Sequence, residues 1–211
     1  MNILNEIENV LPSDIEKRSF EIIGQELDEM GIVLDEKTAP LIKRVIHTSA
    51  DFEYTETMCI SENAIEIAQN AIRNGAVIVT DTTMAYSGIN KKILKNLGGE
   101  AVCFIQDEDV AIAAKEKGVT RSAVCIDKAA KLQKPVIFAI GNAPTALIRL
   151  YELMQEGFRP ELIIGVPVGF VNVVQAKELI LKSQVPYIVA RGRKGGSNVA
   201  AAIVNAILYM A

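Results

Sequence analysis

From residue 76 onward the chain alternates short, β-branched apolar runs with longer stretches of helical periodicity, and no other feature constrains its fold as tightly. The runs are A-V-I-V-T, A-V-C-F-I, P-V-I-F-A-I, L-I-I-G-V and P-Y-I-V-A. Between and after them, helical patterns occupy about 88 to 97, 107 to 117, 144 to 156, 172 to 183 and 197 to 209. Apolar runs without period-2 alternation suit strands covered on both faces, and their alternation with helices predicts a parallel sheet. The expected fold is therefore α/β: a doubly wound, mainly parallel sheet with helices on both faces. An N-terminal helical segment precedes it. Ile15, Ile22, Ile23, Leu27 and Met30 form one 3.6-residue stripe, and Leu41, Ile42, Val45 and Ile46 another. A further helix is expected from Ser61 to Asn74, with Ser61 as its cap. No linker or composition break divides the chain, so residues 1–211 read as one α/β domain.

Composition excludes several classes of function. Half of the 211 residues are apolar, enough for a sizeable core. A net charge of −4 lacks the basic footprint that general nucleic-acid binding requires, so an anionic ligand must meet a local cluster of cations. The longest apolar run, from Leu162 to Val174, is interrupted by Gly165, Pro167, Gly169 and Asn172 and is too short to span a bilayer. The opening M-N-I-L-N-E-I-E-N-V has acidic residues where a secretory signal is basic, and Cys59, Cys103 and Cys125 form no CxxC pair. These features lead to the expectation of a soluble, cytoplasmic protein without a metal site, a nucleic-acid partner or a membrane partner.

In an open parallel sheet, ligands bind beyond the carboxyl ends of the strands. The segments there are D-T-T-M-A-Y-S-G, G-N-A-P-T-A-L, G-V-P-V-G-F-V-N and R-G-R-K-G-G-S-N, rich in glycine, proline, asparagine and small hydroxyl residues. Such residues permit close backbone approach and leave amides free at helix starts. In the last segment Arg191, Arg193 and Lys194 supply cations, Gly195 and Gly196 free the backbone, and Ser197 is placed to cap the next helix; together they suit an anion. Turn chemistry alone is the plainer account of these glycines. G-N-A-P-T-A-L, with Asn142, equally reads as a capped helix with Pro144 in its first turn, and D-T-T-M-A-Y-S-G as an ordinary loop. Neither a P-loop nor a G-x-G-x-x-G fingerprint is present, so no nucleotide cofactor is suggested.

The only histidine, His47, lies in R-V-I-H-T-S-A-D-F-E-Y, where a helical pattern gives way to small polar residues. Arg44 is three residues earlier and shares its helical face, while Val45 and Ile46 point elsewhere. A cation beside an imidazole disfavours the protonated ring, so the pair makes sense with an anionic ligand between them.

Taken together, R-V-I-H near 44, T-R-S-A at 120, A-I-G-N-A-P-T-A-L at 139, G-V-P-V-G-F-V at 165 and R-G-R-K-G-G-S at 191 resemble the precorrin-8X methylmutases of cobalamin biosynthesis over nearly the whole chain. The resemblance implies an α/β homodimer that moves a methyl group of a tetrapyrrole macrocycle from C-11 to C-12, giving hydrogenobyrinic acid, or cobyrinic acid when cobalt is present. It implies no external cofactor, any cobalt belonging to the substrate. It implies His47 as the group that protonates or hydrogen-bonds the ring, with Ser19 and Arg44 as substrate contacts and, from a looser match, Thr82, Tyr86 and Ser87. A broad ring with many carboxylates calls for scattered cations, which Arg18, Arg44, Arg121, Arg191, Arg193 and Lys194 supply. A methyl shift requires a polarised conjugated system and a fixed conformation, for which one acid suffices. Two other classes stay open: a nucleotide-dependent enzyme on the same architecture, and a non-catalytic corrinoid carrier. No residue decides whether the ring carries cobalt.

Overall fold

The computed structural model describes residue 4 and residues 7–211; most of the opening segment read for a targeting signal lies outside them. Helices α1 (Ile15–Glu29) and α2 (Ala39–Ser49) and the single turn α3 (Tyr54–Thr57) lead into strand β1 (Met58–Ile60) and helix α4 (Ala64–Arg73). The doubly wound part follows as β2 (Val77–Thr80), α5 (Thr83–Gly88), α6 (Lys91–Asn96), β3 (Glu100–Val102), α7 (Glu108–Lys117), α8 (Arg121–Ala129) and β4 (Val136–Ile140). It continues with α9 (Pro144–Gln155), β5 (Leu162–Gly165), α10 (Val173–Leu181), β6 (Tyr187–Ala190) and α11 (Ser197–Tyr209). The strands form one sheet in the order β1-β6-β5-β4-β2-β3, parallel except for β1 against β6.

Every residue of β2, β4 and β5 is buried, which is why their sequences show no alternation. The two-residue period survives in what each side chain touches. Ile78, Ile137, Ala139, Leu162, Ile164, Ile188 and Ala190 pack with α2, α4, α5, α6 and α11 on one face. Val77, Val79, Val136, Phe138, Ile140, Ile163 and Val189 pack with α8, α9 and α10 on the other. From β2 the chain moves outward to β3, then returns past β2 to β4 and on through β5 and β6. With right-handed crossovers, that reversal sends the intervening helices to opposite faces and opens a crevice between the carboxyl ends of β2 and β4. Helix α2 buries Leu41 and Val45 in the first of these cores and Ile42 and Ile46 against Ile23 and Leu27 of α1, so α1 forms an outer layer.

Several local expectations are corrected. The helix expected near 88 to 97 is α6 alone, Lys91–Asn96, and D-T-T-M-A-Y-S-G before it turns out helical from Thr83 because the Thr82 hydroxyl accepts from the Ala85 N–H and caps it. Helix α8 was not expected, although Thr120 caps it through the Ala123 N–H. Ser61 does not cap α4; its hydroxyl accepts from the Tyr187 N–H and extends the pairing of β1 with β6, an antiparallel edge strand too short to show in the sequence. Nor does Ser197 cap α11, since Gly196 holds the N-cap position and Ser197 begins the helix. Among the described residues no helix is long and apolar enough to cross a membrane.

Gly141, directly after β4, is closely approached by the start of α11: a Cβ there would lie 2.6 Å from the Ser197 Cα and 2.7 Å from the Gly196 carbonyl oxygen. Backbone cannot yield as a flexible side chain does. Gly141→Ala is expected to destabilise the protein by about 1–3 kcal/mol, measured by urea denaturation, through displacement of the 195–197 turn.

Candidate functional site

The crevice between β2 and β4 is closed by the protein's own carboxylate. Asp81 follows β2 directly, is 2% exposed, and accepts from three consecutive N–H groups, those of Gly141 (2.9 Å), Asn142 (2.8 Å) and Ala143 (2.7 Å). Burial raises its pKa while the three amides pull the other way. These amides stand at the start of α9, where a doubly wound fold would ordinarily offer N–H groups to a phosphate. With Asp81 in that place, the crevice has no free amide cradle for a nucleotide. Beside it the Thr82 and Ser197 hydroxyls are 2.8 Å apart, joining the β2 and β6 loops. The Asn142 side chain is exposed above them.

The loop after β6 displays its cations because its backbone is fixed from below. Lys177 of α10 is fully buried and donates to the carbonyls of Gly192 (2.9 Å) and Lys194 (2.7 Å). The intervening carbonyl of Arg193 accepts from the Gly169 N–H (3.2 Å), and the Gly196 N–H donates to the Val166 carbonyl (2.9 Å). Gly195 and Gly196 have φ of +155° and +143°, and a Cβ on Gly195 would overlap the Val166 carbonyl. Both glycines thus serve loop-to-loop packing, and the Gly196 N–H has an internal acceptor. Arg191, Arg193 and Lys194 are left exposed on the outer side.

His47 belongs to a second cluster, built on α2. Val45 and Ile46 are buried at 0% and 1%, which turns Arg44 and His47 outward together. Both meet Phe20 of α1: the imidazole stacks on its ring at 5.3 Å and 10°, and the Arg44 guanidinium lies 4.7 Å from the ring centroid. Tyr209, at the end of α11, flanks the same guanidinium at 5.0 Å. Arg44 also pairs with Glu16. The expectation that only a ligand could account for a cation beside His47 is therefore corrected: two aromatic rings and a carboxylate hold Arg44 in place. Stacking fixes the plane of His47, and neither of its nitrogens has a hydrogen-bond partner among the described residues. A cavity of about 770 Å³ adjoins this cluster on the side of Phe20 and Arg44, with Phe20, Tyr209 and Pro40 as apolar walls, Lys17, Lys43 and Arg44 as cations and Glu16 and Glu36 as anions; His47 is not part of its lining.

The two clusters meet through the segment after α2, where Lys194 pairs with Asp51 at 2.7 Å and with Glu53. The carboxylates raise the Lys194 pKa, and Lys194 lowers that of Asp51. Other candidates are also self-paired. Arg18 meets Glu8 (2.8 Å) and Glu21 (3.7 Å), and Arg191 meets Glu178 (3.5 Å). Among the described residues Arg121 and Arg193 have no carboxylate partner, and Arg193 instead lies 5.4 Å from the ring of the exposed Phe170. The Ser19 hydroxyl donates to the Ile15 carbonyl within α1. Tyr86 is covered by Lys91, 4.3 Å from its ring, and Ser87 is exposed. The sequence reading overlooked Asp81, Phe20 and Lys177. An aspartate directly after a strand and before two threonines was the available sign of the first; the other two carried none.

Comparison with known proteins follows this geometry. A family model described as precorrin-8X methylmutase matches residues 14–210. The chain is 46% identical to the cobalt-precorrin-8 methylmutase of Salmonella typhimurium over 94% of its own length and 95% of that protein's. It is 44% identical to the cobalt-precorrin-8 methylmutase of Priestia megaterium, over 96% and 89%. In three dimensions it is similar to the precorrin-8X methylmutase crystal structure from Thermus thermophilus, with a TM-score of 0.84 and 36% identity over 93% of this chain and 96% of that one.

Asp81→Asn keeps the shape but points an amide N–H₂ at backbone donors. It is expected to cost about 1–3 kcal/mol, since a buried donor loses its acceptor, and to speed hydrogen exchange at Gly141, Asn142 and Ala143. Unchanged exchange at those three amides would contradict the role given to the carboxylate.

Proposed function

This chain belongs to the precorrin-8X methylmutase family of isomerases, and we propose that it acts on the cobalt-containing macrocycle, moving the methyl group at C-11 to C-12 to give cobyrinic acid. The observation that carries the reading is the cluster on α2, where an outward imidazole, its nitrogens without a hydrogen-bond partner among the described residues, stacks on Phe20, whose ring also walls a cavity edged by Lys17, Lys43 and Arg44 together with Glu16 and Glu36. Aromatic walls suit the faces of a broad conjugated ring, and cations at the rim suit its carboxylates. The two curated relatives named above both carry the cobalt form in their names, which favours the metallated substrate.

In the reaction one C–C bond to the migrating methyl breaks at C-11 as another forms at C-12, so composition and mass do not change. His47, as imidazolium, supplies a proton or a strong hydrogen bond to the ring system as charge shifts within it and recovers that proton afterwards. The protein otherwise needs only to hold the macrocycle in the reactive conformation. Ser19, Arg18, Arg44, Thr82, Tyr86, Ser87, Arg121, Asn142, Arg191, Arg193 and the 195–197 turn are the proposed rim contacts. The assembly is proposed to be a homodimer. The deciding experiment offers the protein cobalt-precorrin-8 and its metal-free counterpart separately and records absorption spectrum and mass. A changed chromophore at constant mass signifies isomerisation; a substrate that co-elutes with its chromophore intact signifies carriage.

His47→Ala is expected to lower kcat by about 10²–10⁴-fold with a much smaller change in KM, because the acid is needed chiefly in the transition state. Variant turnover equal to wild type at saturating substrate would remove His47 from the mechanism. Arg44→Met is expected to weaken substrate binding by roughly tenfold or more, and the loss should shrink as salt screens the wild-type contact. Equilibrium titration of both proteins across a salt series checks this.

A further inference from the structure

Lys177 stands apart from the rest of the molecule's charge. Among the described residues it is one of three buried polar side chains, with Thr80 and Asp81, and the only buried cation. No carboxylate among the described residues approaches it within ion-pair distance; its partners are the carbonyls of Gly192 and Lys194. Burial lowers its pKa to about 8. An ammonium group removed from water without a counter-ion is costly, and two carbonyl dipoles compensate it only in part. A methionine would fill the same helix position at less electrostatic cost. The lysine therefore provides something that packing alone does not.

What it provides is visible in the loop above it. The carbonyls of residues 192, 193 and 194 all accept internal bonds, two from Lys177 and one from the Gly169 N–H. Consecutive carbonyls do not turn the same way in an extended chain, and Gly192 permits it here with φ of +76°. With the carbonyls held inward, Arg191, Arg193 and Lys194 are carried outward. Lys177 also lies on the helix that begins after Val168, Phe170 and Val171, of which Phe170 and Val171 are 82% and 78% exposed. One side chain thus couples the apolar loop after β5 to the cationic loop after β6, and Arg193 already rests beside Phe170 where the two meet.

We infer that Lys177 is a positioning residue for substrate recognition: it holds the 191–194 backbone so that Arg191 and Arg193 face the carboxylates of the macrocycle, and its own charge lies beneath them. The inference rests on the reading that this loop meets the substrate. Lys177 touches neither substrate nor reacting atoms, so its loss acts on binding and not on the methyl shift.

The test is a mutational cycle with cobalt-precorrin-8. Lys177→Met is expected to raise KM about tenfold with kcat within about twofold of wild type, the reverse of the pattern expected for His47→Ala. The Arg191→Ala/Arg193→Ala protein should show a comparable rise. Adding Lys177→Met to that protein should raise KM little further, because a residue that acts through the two arginines has nothing left to position. A wild-type KM in Lys177→Met, or a KM rise that multiplies in full with that of the arginine variant, overturns the inference. Should the Met protein fail to fold, Lys177→Leu, which likewise lacks a donor, is scored by the same criteria; failure of both to fold would make Lys177 a requirement of the fold and would also overturn it. A wild-type KM in the arginine variant fails the loop reading, a result distinct from a defect confined to Lys177. Wild-type protein that leaves the macrocycle unconverted fails the activity itself.

Discussion

The carboxyl-end face of the sheet depends on the carboxylate of Asp81. Without hydrogen bonds a buried carboxylate would be among the most expensive groups in the protein, and three short bonds to consecutive backbone amides make it tolerable. Its geometric effect is to join the end of β2 to the start of α9, across the point where the strand order reverses. Its electrostatic effect is to satisfy the positive end of α9 from within. In a doubly wound protein that end is the natural place for a ligand's phosphate. With it neutralised, the groups proposed to meet an anionic ligand stand to either side: the loop after β6, and the outer layer formed by α1 and α2.

Most of the cations in those two places already have carboxylate partners. Arg18 has Glu8 and Glu21, Arg44 has Glu16, Arg191 has Glu178, and Lys194 has Asp51 and Glu53. Such solvent-screened pairs add little to stability, so exchanging an internal carboxylate for a ligand's would cost little at any single position. The pairs meanwhile hold long side chains near useful conformations, reducing the entropy lost on binding. They also make the proposed polyanionic substrate compatible with a chain of net charge −4. On that proposal the released carboxylates would return to water, and affinity would come from many modest exchanges and not from one dense basic patch.

The sequence was most legible where burial is uniform. The runs ending at Thr80, Ile140, Gly165 and Ala190 are strands close to where they were read, because residues covered on both faces leave an unbroken apolar signature. It was least legible where short-range chemistry competes with pattern. Ser61 precedes a helix and looks like its cap, but the proximity of β6 offers its hydroxyl the Tyr187 N–H, a contact 126 residues distant that local reading cannot see. Thr82 and Thr120 do cap; the helix after Thr82 was missed because it is six residues long and ends in Ser-Gly, whereas R-S-A-V-C-I-D-K-A after Thr120 contains no helix breaker and was legible but overlooked. At the site, Arg44 and His47 were legible as a pair from their spacing of three. Phe20, which brings them together, was not, since it comes from another helix and nothing in F-E-I-I distinguishes a stacking aromatic from a surface one. Lys177 was hidden for a similar reason: a lysine in a helix reads as solvated until its acceptors, 15 and 17 residues away, are folded over it.

The manner in which His47 is held bears directly on what it can do. A histidine fixed by hydrogen bonds gives up at least one nitrogen to its support, and the supporting group then dictates which nitrogen carries the proton. Here the ring is fixed by its face, parallel to Phe20, and by the buried Val45 and Ile46 that orient α2 beneath it. Both nitrogens therefore stay available to a ligand. The guanidinium of Arg44 rests on the same Phe20 ring, so a ligand that reaches the imidazole also meets a cation. In the mechanism proposed for this chain, either nitrogen of His47 can turn to the macrocycle without giving up its support, because that support comes from the face of the ring. For a methyl shift that calls for one proton at one place, that freedom is the property the proposal draws on.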